Sequence, residues 1–236
     1  MRQSLSPEAL LRRVRTELKR VADPVKAPAM RSYMKSEMPY LGVTNPIRQG
    51  VCQAVFKTVT FPATESWRGA VLGLWRQAKY REERYAAIDL SGARRFDSFQ
   101  TLQALPMYEE MIITGAWWDY VDEIAARRLG PLLRRYPRTM RRKMLAWSKS
   151  KDLWKRRSAI LCQVGFKAET DLDLLYAAIE PAIDSKEFFL RKAIGWALRQ
   201  YAWTDPAETL RYVQRNKGRL SPLSQREALK NIARAV

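Results

Sequence analysis

A four-residue pattern, Arg-x-Ala followed by an apolar residue, recurs along the second half of the chain at a nearly constant spacing. It occupies residues 157–160, 191–194 and 226–229, which are 34 and 35 residues apart, and a related copy at 84–87 lies 73 residues before the first, close to two periods. Repeats of this length are typical of paired helices that bury their apolar faces only by stacking on one another. The pattern therefore predicts an α-solenoid in which the skipped repeat has its matching position near residue 120.

Helix-start signals separate segments whose apolar positions recur every three or four residues. The signals are Ser, Asp or Asn residues, most of them next to a Pro, which are the residue types found at helix N-termini. They stand at Ser6, Asn45, 150–152, 184–185, Asp205 and Ser221. Alternation typical of a strand occurs only at 56–61, where we expect a helix to end. We therefore predict an all-α chain that forms a single HEAT-like repeat domain over residues 1–236.

Composition excludes several kinds of catalytic site. The chain contains no His, so Ser–His pairs, Cys–His pairs and His-ligated metal sites cannot form, and we expect no metal and no cofactor. Cys52 and Cys162 have apolar neighbours and are expected to pack as small hydrophobic residues in a reducing compartment. Neither a signal peptide nor a membrane span is recognisable, so we expect a soluble intracellular protein that does not bind membranes.

The net charge of +19 favours a polyanionic partner, and nucleic acid is the first candidate. The excess is concentrated between residues 127 and 157, where thirteen Lys or Arg residues accompany a single acid, Asp152. A solvated helix face usually mixes its charges, so this block, which is interleaved with apolar and aromatic residues, predicts a folded basic surface. On the concave face of a solenoid it would neutralise several phosphates and bind with steep salt dependence.

The segment AWWDYVDEIA falls at the skipped repeat position. On a helix, Trp117, Val121 and Ile124 form the inward stripe. Trp118 and Asp122 form a second pair, one turn apart, that is rotated about 100° from this stripe. An indole next to a carboxylate and off the apolar stripe indicates an exposed functional pair. The alternative is that Trp118 covers a junction between repeats while Asp122 pairs with an arginine of the next repeat.

A later helix that contains the residues KAIGW has a second unusual aromatic face. Trp196 lies off the apolar stripe and shares a face with Lys192, Arg199 and Trp203. Such a face suits a sugar–phosphate backbone, because the indole packs on the sugar while the cations meet phosphates. The alternative is that Trp196 fills a groove between repeats and is covered by the stems of the basic side chains.

Several motifs together resemble the AlkD family of DNA alkylation-repair glycosylases. They are MRSYMKSEMPYLGV at 30–43, WWDYVD at 117–122, LWKRRSAIL at 153–161, DSKEFFLRKAIGWALRQYA at 184–202 and PLSQREALKNI at 222–232. The similarity runs with gaps over nearly the whole chain, and the combination of WWDxVD with KAIGW is specific. The resemblance implies a HEAT-repeat enzyme that hydrolyses the N-glycosidic bond of cationic N3- or N7-alkylated purines in duplex DNA without flipping the base.

The resemblance also implies roles for individual residues. Asp122 becomes the catalytic carboxylate, with Trp118 and Trp196 as the indoles beside the sugar. Arg157 would hold Asp122 or a nearby phosphate. Tyr33 matches a position near the DNA, for which ordinary helix packing is the alternative.

Further DNA contacts are assigned to Lys192, Arg199 and Thr44. The resemblance leads us to expect a Gln-Thr pair after Val43 that contacts the unlesioned strand, whereas this chain has Thr44-Asn45 at that place. We find no lysine suited to Schiff-base chemistry and expect a monofunctional enzyme. Bulky adducts, such as those of minor-groove alkylating antibiotics, are further candidate substrates. We expect a monomer in the bacterial cytoplasm.

Two other classes of protein compete with the enzyme hypothesis. One is a basic HEAT-repeat protein that binds DNA or senses damage without catalysis. The other is a HEAT scaffold that binds proteins, although the basic block at 127–157 argues against it.

Overall fold

The computed structural model describes residues 5–232, and the regular structure in that range is helical, without a strand. The predicted all-α class is thereby confirmed. The chain divides into two compact units, Met1–Met107 and Tyr108–Val236. The single domain expected over 1–236 stays a prediction, and each unit is described separately below.

Within its described residues, 5–107, the first unit is built from five α-helices and two 3-10 turns. The helices are α1 (Pro7–Arg20), α2 (Ala27–Tyr33), α3 (Asn45–Phe56), α4 (Thr64–Arg76) and α5 (Arg81–Ser91), and the 3-10 turns are Arg94–Phe99 and Leu102–Ala104. Helix α1 packs against α3, α4 and α5, so its apolar face lies at the centre of this unit. Leu10, Leu18, Trp67 and Trp75 are among the large side chains that are fully buried there. Helix α6 (Leu105–Gly115) spans the division between the units.

The part of the second unit that the structure describes, up to residue 232, contains eight further α-helices. They are α7 (Trp118–Ile124), α8 (Gly130–Arg135), α9 (Pro137–Ser148), α10 (Leu153–Leu161), α11 (Leu172–Ile179), α12 (Phe188–Ala202), α13 (Pro206–Arg215) and α14 (Pro222–Leu229). A π-helical turn, Ala125–Leu129, joins α7 to α8, and 3-10 turns occupy Lys167–Glu169 and Glu180–Ala182.

Helices of the second unit stack in two rows. In the first row, which consists of α7, α10, α12 and α14, each helix packs against the next. In the second row α9 packs against α11, while α13 packs against both α12 and α14. An apolar cluster lies between the rows and includes Ile160, Ile179, Leu190 and Ile194. This stacking of helix pairs is the local architecture of an α-solenoid.

The predicted repeat length reappears in the ion pairs of the second unit. The pairs Asp122–Arg157, Arg134–Glu169, Asp184–Arg219 and Lys192–Glu227 each join residues that are 35 positions apart. Two of these pairs link successive helices of the first row, α7 to α10 and α12 to α14. Ion pairs therefore join equivalent positions of neighbouring repeats.

Most helix starts agree with the sequence signals. The side chains of Ser6, Asp152, Asp205 and Ser221 accept backbone N–H groups at the starts of α1, α10, α13 and α14. Helix α3 begins at Asn45 and ends at Phe56, as expected for the segment 56–61. The signal at 184–185 was misplaced, because α12 begins only at Phe188. The Ser185 hydroxyl instead accepts the N–H of Glu187 at 3.2 Å, which forms a turn ahead of the helix.

Candidate active site

Asp122 lies on α7, and the turn that leads into this helix has an unusual backbone. After α6 ends at Gly115, Ala116 adopts a left-handed conformation with φ of +44°. Trp117 is then extended and forms the N-cap, and Trp118 is the first helical residue. A non-glycine residue at positive φ is strained. The start of α7 is therefore fixed by a turn that costs conformational energy.

Arg157 of α10 binds both oxygens of the Asp122 carboxylate. Its Nε donates to Oδ1 at 2.7 Å and its Nη2 donates to Oδ2 at 2.8 Å. The side chains are only 6% and 15% exposed, respectively, so water screens this pair weakly. The two parallel hydrogen bonds fix the plane of the carboxylate as well as its position. The structure thus brings together two residues that the sequence marked as functional.

Two opposing effects set the pKa of Asp122. Burial raises the pKa of this carboxyl above its ordinary value, and this effect is the larger one. The hydrogen bonds and the charge of Arg157 lower the pKa, while the charge of Asp119 raises it further. Asp122 therefore takes up a proton at a higher pH than an exposed aspartate does, and Arg157 limits that rise.

Three aromatic side chains pack beside this ion pair. The ring centroids of Trp117 and Trp154 are 6.3 Å apart, and Phe189 lies 5.5 Å from the first and 4.9 Å from the second. The Arg157 guanidinium lies 6.0 Å from the Phe189 ring centroid, and its Nη1 donates to the Phe189 carbonyl. Arg157 is thus held by Asp122 on α7 and by Phe189 on α12. Trp154 and Phe189 were not predicted as site residues, although both belong to the motifs quoted above.

The two tryptophans assigned to catalysis lie on helices that both pack against α10. Trp118 opens α7 and Trp196 lies within α12, and each side chain is half-buried. Trp196 packs in part against the apolar cluster of the second unit. The Trp196 side chain is therefore partly packed and leaves the rest of its surface accessible.

Immediately after α7, the backbone widens into the π-helical turn Ala125–Leu129. Such turns insert one residue into a helix and are frequent at functional sites. Gly130 then lets the chain approach the neighbouring repeat, since a Cβ atom there would lie 2.8 Å from the carbonyl oxygen of Cys162. The path of the chain behind Asp122 is therefore closely constrained.

Lys192 and Arg199, which the sequence assigned to DNA binding, share one acidic partner. Lys192 Nζ lies 2.9 Å from Glu227 Oε1, and Arg199 Nη1 lies 2.6 Å from Glu227 Oε2. The hydrogen bond from Lys192 is the main reason that the pKa of Glu227 is lowered. The sequence analysis did not identify Glu227. The repeat period would have found it, because it lies 35 residues after Lys192.

Tyr33 and Thr44 belong to the first unit. Tyr33 is 77% exposed at the end of α2, so it does not have the ordinary packing role that was its alternative. Thr44 is half-buried at the N-cap of α3. The loop before Thr44 is organised by the fully buried carboxylate of Glu82, which accepts the N–H groups of residues 41–43 at 2.9 to 3.1 Å. DNA contact by Tyr33 and Thr44 stays a prediction.

The basic block at 127–157 is folded, and part of its charge is neutralised by acids outside the block. Arg134 pairs with Glu169 and Arg141 with Asp171, while Lys143 and Lys155 both reach Glu109. Seven of its cationic residues are exposed: Arg127, Arg134, Arg135, Arg138, Arg142, Lys149 and Lys151. This stretch presents a large positive charge to solvent, as the sequence predicted.

Other kinds of site receive no support from the described part of the chain. Among residues 5–232 no three His, Cys, Asp or Glu side chains are grouped so as to hold a metal ion. No helix in the same range combines the length and apolarity of a membrane span. Cys52 and Cys162 are buried free thiols, and burial raises the pKa of Cys162 to about 12, which leaves it unreactive at neutral pH.

The fold and the site together define a helical-repeat protein in which an arginine-bound aspartate lies beside aromatic side chains. A family model for DNA alkylation repair enzymes matches residues 14–232, and the chain belongs to that family. Its structure is similar to that of a predicted DNA alkylation repair enzyme from Enterococcus faecalis, with a TM-score of 0.80 and 30% identity. That match covers 90% of this chain and 97% of the other. A search of the curated proteins finds no match.

Proposed function

We propose that this protein is a monofunctional DNA glycosylase that hydrolyses the N-glycosidic bond of cationic N3- or N7-alkylated purines in duplex DNA. Membership in the DNA alkylation repair family supports a role in alkylation damage. The observation that carries the proposal is the Asp122 carboxylate, which is fixed by Arg157, partly exposed and one helical turn from Trp118.

The chemistry needs few catalytic groups. An N3- or N7-alkylated purine carries a positive charge, so it leaves without protonation by a general acid. When the bond from C1′ to the base nitrogen breaks, its electron pair neutralises the base, and positive charge develops on the sugar. A water oxygen then bonds to C1′ and loses a proton, which yields a free alkylpurine and an abasic site. A chain without His can catalyse this reaction.

Asp122 supplies the two catalytic functions that this reaction needs, which are stabilisation of the sugar cation and activation of water. Its negative charge stabilises the developing sugar cation, and it orients and deprotonates the attacking water. Each carboxylate oxygen accepts one hydrogen bond from Arg157 and keeps a further lone pair for water. Because Arg157 fixes the carboxylate before the substrate arrives, little reorganisation is needed in the transition state.

Trp118 and Trp196 assist through their indole faces. A sugar that becomes cationic is attracted to an indole, by about 1–2 kcal/mol in a desolvated site. This attraction grows toward the transition state and therefore accelerates the bond cleavage rather than only tightening binding. A base that stays in the stack needs no pocket, which would admit bulky adducts as well as simple methylpurines.

DNA binding is assigned to basic residues that lie outside the catalytic group. The exposed cations of the block at 127–157 would meet phosphates and give binding that weakens steeply with salt. Tyr33, Thr44, Lys192 and Arg199 are further proposed contacts. The enzyme would act as a monomer on DNA in a bacterial cytoplasm, with no metal or cofactor taking part.

A non-catalytic DNA-binding protein is the second candidate, and one observation favours it. Both Asp122 oxygens already bind Arg157, as a purely structural pair between repeats would require.

An assay of base release distinguishes the two candidate functions. Duplexes with 7-methylguanine, and separately with a bulky N3-adenine adduct, are incubated with the protein. We expect free base from at least one substrate and no strand cleavage. Release from neither duplex would overturn the glycosylase proposal.

A further inference from the structure

The carboxylate of Glu227 occupies a position between two cations on the DNA-facing side proposed for α12. Its oxygens lie 2.9 Å from Lys192 Nζ and 2.6 Å from Arg199 Nη1. The three side chains are 38%, 21% and 19% exposed for Lys192, Arg199 and Glu227 respectively. The cluster therefore borders solvent, and a ligand can reach the cations without unfolding the helix pair.

Close packing of α14 against α12 brings Glu227 to this position. Gly195 makes that approach possible, since a Cβ atom there would lie 2.5 Å from Glu227 Cβ and 2.9 Å from the Ser224 carbonyl oxygen. Ser224 in turn donates from its hydroxyl to the Arg191 carbonyl at 2.9 Å. The packing of the two helices therefore places the Glu227 carboxylate beside the two cations.

The two cations flank Trp196 on one helix face. Residues 192, 196, 199 and 203 are spaced by four, three and four positions, which places them along one side of α12. Trp203 closes this face at the C-cap and is 72% exposed. A face of cations and indoles is suited to a sugar–phosphate backbone, yet both cations pair with a single internal acid.

The carboxylate and a DNA phosphate are chemically similar acceptors for these two side chains. The hydrogen bond from Lys192 lowers the pKa of Glu227, so its carboxylate is ionised at neutral pH. Partly exposed ion pairs contribute little net stability, so a phosphate can take over either cation at small cost.

We infer that Glu227 is an internal competitor of the DNA phosphates, which holds Lys192 and Arg199 ready beside Trp196 and weakens binding to undamaged duplex. This inference rests on the proposed function in that α12 faces the DNA. Glu227 acts through the two cations and is therefore a positioning residue. In a strongly basic protein the affinity for undamaged DNA must be limited, because non-specific phosphate contacts would otherwise hold the protein there.

The test compares the binding of undamaged duplex DNA by the wild type and by Glu227→Gln over a series of salt concentrations. Release of the two cations should tighten binding roughly 3- to 10-fold. Each additional phosphate neutralised should steepen the plot of log affinity against log salt by about 0.9, so a total change of about 0.9 to 1.8 is expected. Because the readout is binding, it does not depend on base release.

A matched control accounts for the added unit of charge. Glu180→Gln removes an acid of the same unit, which lies in the 3-10 turn Glu180–Ala182 and pairs with Arg219 at 2.8 Å. It should tighten binding less than Glu227→Gln and leave the salt slope nearly unchanged. Glu227→Asp keeps the charge but shortens the side chain by one methylene, so it cannot reach both cations, and it should give an intermediate gain. Thermal melting verifies that all variants are folded.

The possible outcomes separate this inference from the proposed function. If Glu227→Gln binds like Glu180→Gln while the wild type still releases alkylpurines, the role of Glu227 is refuted and the glycosylase proposal stands. If the wild type does not bind duplex DNA at all, both fall. The inference is also overturned if Glu227→Gln still tightens DNA binding when Lys192 and Arg199 are changed to Gln as well. The increase in affinity must act through those two cations.

Discussion

Arg157 and Asp122 lie 35 residues apart and are joined by two hydrogen bonds of 2.7 and 2.8 Å across successive helices of the first row. The same pair does two things, since it ties neighbouring repeats together and aims the only carboxylate assigned to catalysis. The stability of the fold and the geometry of the site are therefore coupled through one guanidinium group.

The first prediction concerns that coupling. Arg157→Gln leaves a mostly buried carboxylate without its partner and should lower the free energy of unfolding by about 3 kcal/mol. In the Asp122→Asn background the same change should cost clearly less, because the orphaned charge is gone. Denaturant unfolding of both single variants and of the double variant measures the interaction energy. Equal costs in the two backgrounds would show that the pair is not coupled.

The second prediction concerns pH. Burial raises the pKa of Asp122, so base release should decline on the acid side at a higher pH than an exposed aspartate would give. Arg157 lowers this pKa, so Arg157→Gln should move the decline to still higher pH. The effect on stability has the opposite sense: the raised pKa favours the folded state at low pH, and this contribution is lost as the pH rises through the folded-state pKa. The measurement is the pH profile of single-turnover base release by the wild type and by Arg157→Gln. Identical profiles would contradict this account.

The third prediction concerns the strained turn before α7. Ala116→Gly should raise the free energy of unfolding by about 1 kcal/mol, because glycine adopts a φ of +44° without strain. Ala177→Gly, within α11, is the control and should lower stability by about 1 kcal/mol. Opposite signs in thermal or denaturant unfolding support the strain, and a loss of stability at both positions would refute it.

The fourth prediction concerns the packing of α14 on α12. Gly195→Ala forces a Cβ atom against Glu227 and Ser224 and should destabilise the protein by about 1–3 kcal/mol. Gly50→Ala makes the same change within α3, where no described atom lies within 4 Å of the new Cβ, and should stabilise by up to about 1 kcal/mol. If the two alanine variants melt alike, the close approach at Gly195 is not present in solution.

The repeat and most helix starts were predictable, because both depend on residues that are local or regularly spaced. The pairing of Asp122 with an arginine of the next repeat was an explicit alternative in the sequence analysis, and the family resemblance pointed to Arg157 as the residue that holds Asp122 or a phosphate. The start of α12 was not predictable from its capping signal, because Ser185 uses its hydroxyl in a turn instead.

Contacts that depend on tertiary packing were missed. Nothing local in the sequence marks Phe189 as the residue whose carbonyl accepts from Arg157, or Glu82 as the anchor of the loop before Thr44. Lys192 and Arg199 were correctly placed beside Trp196, but their shared partner comes from the next repeat. To find the ion-pair partner of a residue in this chain, the position one repeat away is therefore more informative than its neighbours in sequence.

The most direct test of the central claim is single-turnover release of 7-methylguanine from duplex DNA by the wild type and by Asp122→Asn at neutral pH. Asparagine has nearly the same shape but cannot carry negative charge or accept the proton of water. We predict a loss of about 10²- to 10³-fold in the rate of base release, with affinity for duplex DNA nearly unchanged. A variant that releases the base at nearly the wild-type rate would contradict the claim that Asp122 is the catalytic carboxylate.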